Sequence, residues 1–277
     1  MLTLRYGDCF SNPCVLLLGG FDGLHKGHVT LLNRAKQYGF PVGIMTIEGG
    51  KAGGDLFTLA EREHIFSAAG LEFMIRLSFS EIKSMLAEDF LKGLFQALSL
   101  KAVVCGEDFR FGYGATGDRE LLKKFSPCPV EILPIKKSNG EKIATSELKK
   151  LLANGRVACV NDLIEGTYFI QGFAGERVEI DAETAWYVVL VPKEKYLPAE
   201  GFYVSEIVCG GIKNSGILAV LGGNITVFVQ KECRLSQGDT LSICPKKTVK
   251  SCDFTHKNDI LKNLHSIMRD IIEGLYD

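Results

Sequence analysis

The amino-acid sequence predicts an α/β domain built on a parallel sheet, followed by a smaller β-rich domain. Three features carry that expectation. Val15-Leu16-Leu17-Leu18 is a short continuous apolar run, as in a strand buried on both faces, and it ends in Gly19-Gly20. Apolar runs then alternate with helically spaced segments as far as Asn154. Beyond Gly166 the texture changes to strand-like segments separated by glycine turns.

The first unit reads as strand, glycine-rich turn, helix: Val29 to Tyr38 has its apolar positions at helical spacing, and Gly39 stops it. Pro41 to Ile47 is then expected as a strand, Leu59 to Ala69 as a helix, Phe73 to Arg76 as a strand, Ser84 to Ala97 as a helix and Ala102 to Cys105 as a strand. Val130 to Pro134 adds a further strand, and Ser146 to Asn154 a helix closed by Gly155. This order predicts a Rossmann-like sheet over residues 1–166. In 167–277, strands are expected at Tyr168 to Gly172, Trp186 to Val191, Phe202 to Val208, Ile217 to Val220 and Ile225 to Val229, forming a small antiparallel sheet or barrel. Ile260, Leu264, Ile267, Ile271 and Leu275 fall on one helical face, so a C-terminal amphipathic helix is expected to pack on that barrel.

Composition narrows the partners. Of 277 residues, 46% are apolar and 23% charged, the balance of a folded globular chain, and the formal net charge of −1 gives no electrostatic pull toward nucleic acid or an anionic membrane. Lys123-Lys124, Lys136-Lys137 and Lys246-Lys247 read as solvated faces. No apolar run approaches the roughly 20 residues that cross a bilayer, and the first residues lack the order of a secretory signal. Nine cysteines, an odd number without any Cys-x-x-Cys pair, fit idle thiols in a reducing cytoplasm.

The chemistry is concentrated in Gly20-Phe21-Asp22-Gly23-Leu24-His25-Lys26-Gly27-His28. A glycine-rich turn between a buried strand and a helix lets backbone approach phosphates, and the helix N-terminus adds free N–H groups and a positive dipole end. His25 and His28 at that turn can donate to a phosphate and to charge that develops during attack at phosphorus. As zinc ligands they lack a third partner nearby, because His64 lies in a separate helical segment, and no metal ligands are assigned. Asp108 beside Phe109 and Phe111 offers a carboxylate next to aromatic faces, which suits a flat heteroaromatic ligand; both phenylalanines also fit ordinary core. Thr145, Ser146 and Lys149 at a helix start suit phosphate oxygens, and Thr145 and Ser146 equally suit a helix cap.

These residues resemble the bacterial bifunctional riboflavin kinase/FAD synthetase family of the His-x-Gly-His nucleotidyltransferases. Val103 to Asp118 is similar to its flavin-side motif, Ile143-Ala144-Thr145-Ser146-Glu147-Leu148-Lys149 to its phosphate motif, and the likeness runs through roughly the first 172 residues. The resemblance implies transfer of AMP from ATP to FMN, with Mg²⁺ as charge partner. It assigns His25 and His28 to catalysis, and Gly19, Gly20, Phe21, Asp22, Gly27, Thr145, Ser146 and Lys149 to ATP. Asp108, Phe109, Phe111 and Gly112 would hold the flavin.

Two departures stand out. The family's Thr-Phe-x-Pro-His-Pro is replaced by Thr46-Ile47-Glu48-Gly49-Gly50-Lys51, and its final phosphate-motif arginine by Lys149, which keeps the charge without the bidentate fork. In the C-terminal half, Phe173 to Ile180 stands where the kinase's Gly-Phe-Pro-Thr-Ala-Asn signature is expected, and Asn224 to Val229 where a catalytic glutamate is expected. A kinase-like barrel without kinase activity is therefore expected. The alternatives are a non-catalytic flavin or adenine-nucleotide binding protein, a bifunctional enzyme with residual kinase activity, and a transferase for another phosphorylated acceptor.

Overall fold

The computed structural model describes residues 1–277 apart from 51–52, 135–136, 139–140, 180–183, 231–232, 234 and 250–277. The expected C-terminal amphipathic helix lies outside the described residues. The chain divides into two compact units, Met1–Thr145 and Ser146–Asp277.

In the first unit, β1 (Leu2–Arg5), β2 (Phe10–Leu18), β3 (Val42–Glu48), β4 (Phe73–Ser78), β5 (Leu98–Gly106) and β6 (Val130–Leu133) form one sheet in the order β1-β4-β3-β2-β5-β6. Every pairing in it is parallel. The connections carry α1 (Lys26–Lys36), α2 (Leu59–Ala68), the short α3 (Phe79–Ile82), α4 (Ala87–Ala97) and α5 (Arg119–Phe125). Alternate strand residues feed two cores. Val15, Leu17, Ile44 and Met74 pack with Leu32, Ala35 and Phe66 of α1 and α2. Leu16, Leu18, Ile75 and Val103 pack with Phe90, Leu91 and Leu94 of α4. A sheet covered on both faces explains why its strands read as continuous apolar runs.

The sequence expectation for α2 is met with a reason attached. Thr58 and Glu61 form a reciprocal capping box, with the Thr58 N–H donating to Glu61 Oε2 at 2.8 Å and the Glu61 N–H to Thr58 Oγ1 at 3.3 Å. The expected helix from Ser84 starts later, at Ala87, because the loop after β5 is seated on its first turn. Gly112 has φ +74°, a Cβ there would stand 2.6 Å from Ala87 Cα, and the Tyr113 N–H donates to Met85 O at 2.7 Å.

From Ser146 onward the second unit holds the rest of α6 (Thr145–Ala153) and α7 (Val157–Leu163), and its strands β9 (Ile170–Glu179), β10 (Thr184–Leu190), β11 (Gly201–Cys209), β12 (Ile212–Leu221), β13 (Asn224–Gln230) and β14 (Thr240–Thr248) close an antiparallel barrel. A two-stranded β7–β8 hairpin (Lys137–Ser138 and Glu141–Lys142) belongs to the first unit. Facing residues of the barrel strands are buried together: Tyr187 opposite Val227, Val227 opposite Leu218, Leu218 opposite Tyr203. The Tyr203 hydroxyl donates to Ala199 O at 2.6 Å, and burial pushes its ionisation up to about 12.

Two outcomes follow from this packing. Gly43 of β3 faces Phe73 of β4, and a Cβ on it would run into the Phe73 ring; Gly43→Ala is expected to destabilise the fold by about 1–3 kcal/mol in urea titration. Cys14 and Cys105 lie fully buried on β2 and β5, and desolvation raises both thiols to about 11, whereas Cys9 is exposed. Iodoacetamide at pH 8 is therefore expected to alkylate Cys9 in the folded protein and to reach Cys14 and Cys105 only after unfolding, as peptide mapping would show.

Candidate active site

The chain leaves β2 for β3 and β4 on one side of the sheet and returns to β5 on the other, so the loops following β2 and β5 diverge. A crevice at the carboxyl ends of the strands is the geometric consequence. A cavity of about 680 Å³ occupies that place, and the strand ends supply its floor: Leu18 and Gly19 at the end of β2, Met45 and Ile47 from β3, Gly106 and Asp108 at the end of β5, Pro134 after β6.

One wall is the start of α1, through His25, Gly27, His28 and Leu31. His25 is the N-cap residue of α1: its Nδ1 accepts the His28 N–H at 3.2 Å, which leaves the ring proton on Nε2. His28 Nδ1 lies 3.0 Å from the Gly23 carbonyl, and since a carbonyl only accepts, that nitrogen carries hydrogen. The two imidazoles stack with centroids 3.5 Å apart, and the Phe21 ring meets His28 edge-on at 4.5 Å. Both rings are thereby held against the N-terminus of α1, where the backbone N–H groups and the helix dipole favour an anion.

The turn that carries them is fixed from beneath. Asp22 is 1% exposed, and its carboxylate accepts from Leu56 N at 3.1 Å, Phe57 N at 3.3 Å and Arg62 Nη2 at 2.7 Å. Arg62, with no exposed surface, also reaches Asp55 at 2.8 Å, Phe57 O at 2.8 Å, Thr46 Oγ1 at 2.9 Å and Ile47 O at 2.8 Å. Removing one partner of a buried pair of this kind costs about 3–5 kcal/mol, because the other charge is left uncompensated. Gly23 has φ +118° and a Cβ on it would stand 2.5 Å from the Phe57 ring, so only glycine fits between Asp22 and the histidines.

The opposite wall is aromatic. Phe109 and Phe111 stack at 5.4 Å, Phe90 sits 5.6 Å from Phe111, and Phe79, Phe90, Phe109 and Phe111 all line the cavity. Asp108 lies beside them, half exposed and ion-paired with Lys142, which lines the cavity too.

Of the residues expected at the site, Gly19, Gly20, Phe21, His25, Gly27, His28, Asp108, Phe109, Phe111, Gly112 and Thr145 line this one cavity. The Asp22 carboxylate is turned into the buried network instead. Ser146 and Lys149 belong to the second unit, where Lys149 Nζ stands 5.2 Å over the Tyr196 ring. Sequence reasoning missed Lys142, Phe79 and Arg62. The signal for Arg62 was its place one turn before Phe66, on the buried face of α2. Among the described residues no group of three or more His, Cys, Asp or Glu side chains could hold a metal ion.

This geometry agrees with the comparisons with known proteins. The Escherichia coli (strain K12) protein named bifunctional riboflavin kinase/FMN adenylyltransferase is 27% identical over 235 residues, covering 77% of this chain and 74% of the relative. A Buchnera aphidicola (subsp. Schizaphis graminum) protein of the same name is 25% identical over 244 residues, covering 81% and 78%. Among solved structures, a Streptococcus pneumoniae chain described as a macrolide-efflux protein has the same fold, with a TM-score of 0.81 at 22% identity over 98% of each chain. The family model described as FAD synthetase matches residues 9–147, the span that builds the cavity up to Thr145 and half of the whole chain. The chain belongs to the FAD synthetase family.

Proposed function

We propose that the protein is an FMN adenylyltransferase, making FAD and pyrophosphate from FMN and ATP. The observation that carries the reading is the pairing, within one cavity, of two stacked histidines at a helix N-terminus with an aromatic wall flanked by a carboxylate. An anion belongs at the first and a flat heteroaromatic ring at the second. The names of the E. coli and Buchnera relatives include this activity, which supports it.

In the reaction an oxygen of the FMN phosphate attacks the α-phosphorus of ATP. A new P–O bond forms as the bond to the β-phosphate breaks, and pyrophosphate leaves with that electron pair. The nucleophile is already an anion, so no strong base is needed; the demand is for positioning and for stabilising charge at phosphorus. The His25 Nε2–H is fixed as a donor by its capping role, and His28 donates through Nε2 when its ring holds a second proton. The backbone after β2, with Gly19 and Gly20, leaves room for the triphosphate; Thr145 adds a hydroxyl and Lys142 a cation. Mg²⁺ supplied with ATP would neutralise charge on the triphosphate. Phe109, Phe111 and Asp108 orient the flavin.

The barrel is assigned no kinase activity. β13 buries Ile225, Val227 and Val229 and carries no acidic residue, and Phe173 to Val178 is consumed as strand β9. The eight described cysteines are all free, and no helix among the described residues is long and apolar enough to cross a membrane. We place the enzyme in a reducing cytoplasm on the first of these grounds.

Purified protein with FMN, ATP and Mg²⁺ is expected to give equimolar FAD and pyrophosphate by chromatography, and riboflavin with ATP to give no FMN. His28→Ala is expected to lower kcat by about 10²- to 10³-fold with KM for ATP changed only a few-fold. An equal loss of binding and turnover would remove His28 from the catalytic role.

A further inference from the structure

We infer that Arg62, acting through Asp22 and Thr46, is a positioning residue for adenylyl transfer: it sets the place of the His25–His28 pair without touching substrate. The inference rests on the adenylyltransferase reading and goes beyond it.

A guanidinium has five N–H donors, and five oxygens lie within 2.9 Å of this one: Phe57 O, Thr46 Oγ1, Ile47 O, Asp22 Oδ1 and Asp55 Oδ2. The planar fork has one orientation in which all of these are served. Two short paths lead from it to the histidine turn. Through the side chain, Asp22 is bonded to Arg62 and precedes Gly23, whose carbonyl holds His28 Nδ1 at 3.0 Å. Through the main chain, the Thr46 hydroxyl accepts from Arg62 and donates to the Phe21 carbonyl at 2.6 Å, and the Phe21 ring lies edge-on against His28. Phe21, Gly23 and His28 are therefore located by a cluster in which Thr46, Asp22 and Arg62 are each nearly inaccessible to solvent.

A network needed only for stability could have been built with apolar side chains of similar volume, since a buried ion pair contributes little net stability over such a replacement. What the ionic network adds is direction. The Thr46 hydroxyl accepts from Arg62 on a lone pair and gives its one proton to the Phe21 carbonyl, so the two bonds together fix its direction. The same network ends at Ile47, which lines the cavity, so the strand end that shapes the substrate side and the turn that carries the histidines share one anchor.

Thr46 gives the cleanest test, because Thr46→Val keeps its shape and removes both hydrogen bonds, whereas Thr46→Ser keeps the hydroxyl. Thr46→Val is expected to lower kcat on the order of 10-fold or more, with KM for ATP and FMN within about 3-fold, and Thr46→Ser to restore most of it. Leu94→Ala, at a buried α4 residue that neither lines the cavity nor joins the network, serves as the stability control at a temperature where all variants are folded. Carbon-labelled histidine NMR is read in parallel, with the His25 and His28 signals expected to move in Thr46→Val and return in Thr46→Ser. Loss of kcat that merely tracks thermal stability across Thr46→Val, Thr46→Ser and Leu94→Ala, with the two histidine signals unmoved, would overturn the inference. If the wild type makes no FAD, the adenylyltransferase reading fails by itself, and the NMR comparison still decides whether the Arg62–Thr46–Phe21 link positions the histidines.

Discussion

Parallel pairing of β2 with both β3 and β5 is the constraint on which the rest of the first unit depends. A strand with parallel partners on each side, reached by connections that depart in opposite directions, must leave a gap above its carboxyl end. Gly19 and Gly20 keep that gap free of side chains, and α1 begins beside it with its N-terminus on the wall. The anion site is thus a product of topology before any catalytic residue is considered. Histidine at the N-cap then couples folding to chemistry, because the nitrogen that caps the helix fixes which nitrogen is left to donate.

Two different physical environments meet in the cavity. Backbone N–H groups and imidazoles collect at the α1 end, where water must be replaced by fixed dipoles for a phosphate to react. Phenylalanines from α4 and from the loop after β5 collect at the other, where apolar area is exchanged for stacking. Asp108 and Lys142 stand at the aromatic wall as an ion pair half open to water, where such a pair contributes little to stability and its partners are free to exchange for substrate groups.

Much of this was legible in the sequence because buried parallel strands and glycine-bounded helices leave strong patterns. Val15 to Leu18, the turn and α1 were read in place, as were β3, β4, β5 and the central barrel strands. β1 escaped because four residues at a sheet edge, only Leu4 of them buried, carry too little pattern. α7 escaped because Val157, Val160 and Asn161 are weak helix formers, held helical by packing against β14. β14 was hidden by Pro245 and the exposed Lys246-Lys247; the proline is accommodated opposite Ser205, where the β11 register shifts. At the site, the histidines, glycines and phenylalanines were visible as a motif. Arg62 was not, because a single charge within a helix looks solvated until the fold aims Asp22, Asp55 and Thr46 at it.

The most direct test of the account is the fate of phosphorus. With FMN as acceptor, ATP labelled at the α-phosphate is expected to place its label in the flavin product, while ATP labelled at the γ-phosphate places it in pyrophosphate. Label from the γ-position in the flavin, or an α-label that is found only in ATP, ADP or AMP and never in a flavin, would contradict adenylyl transfer.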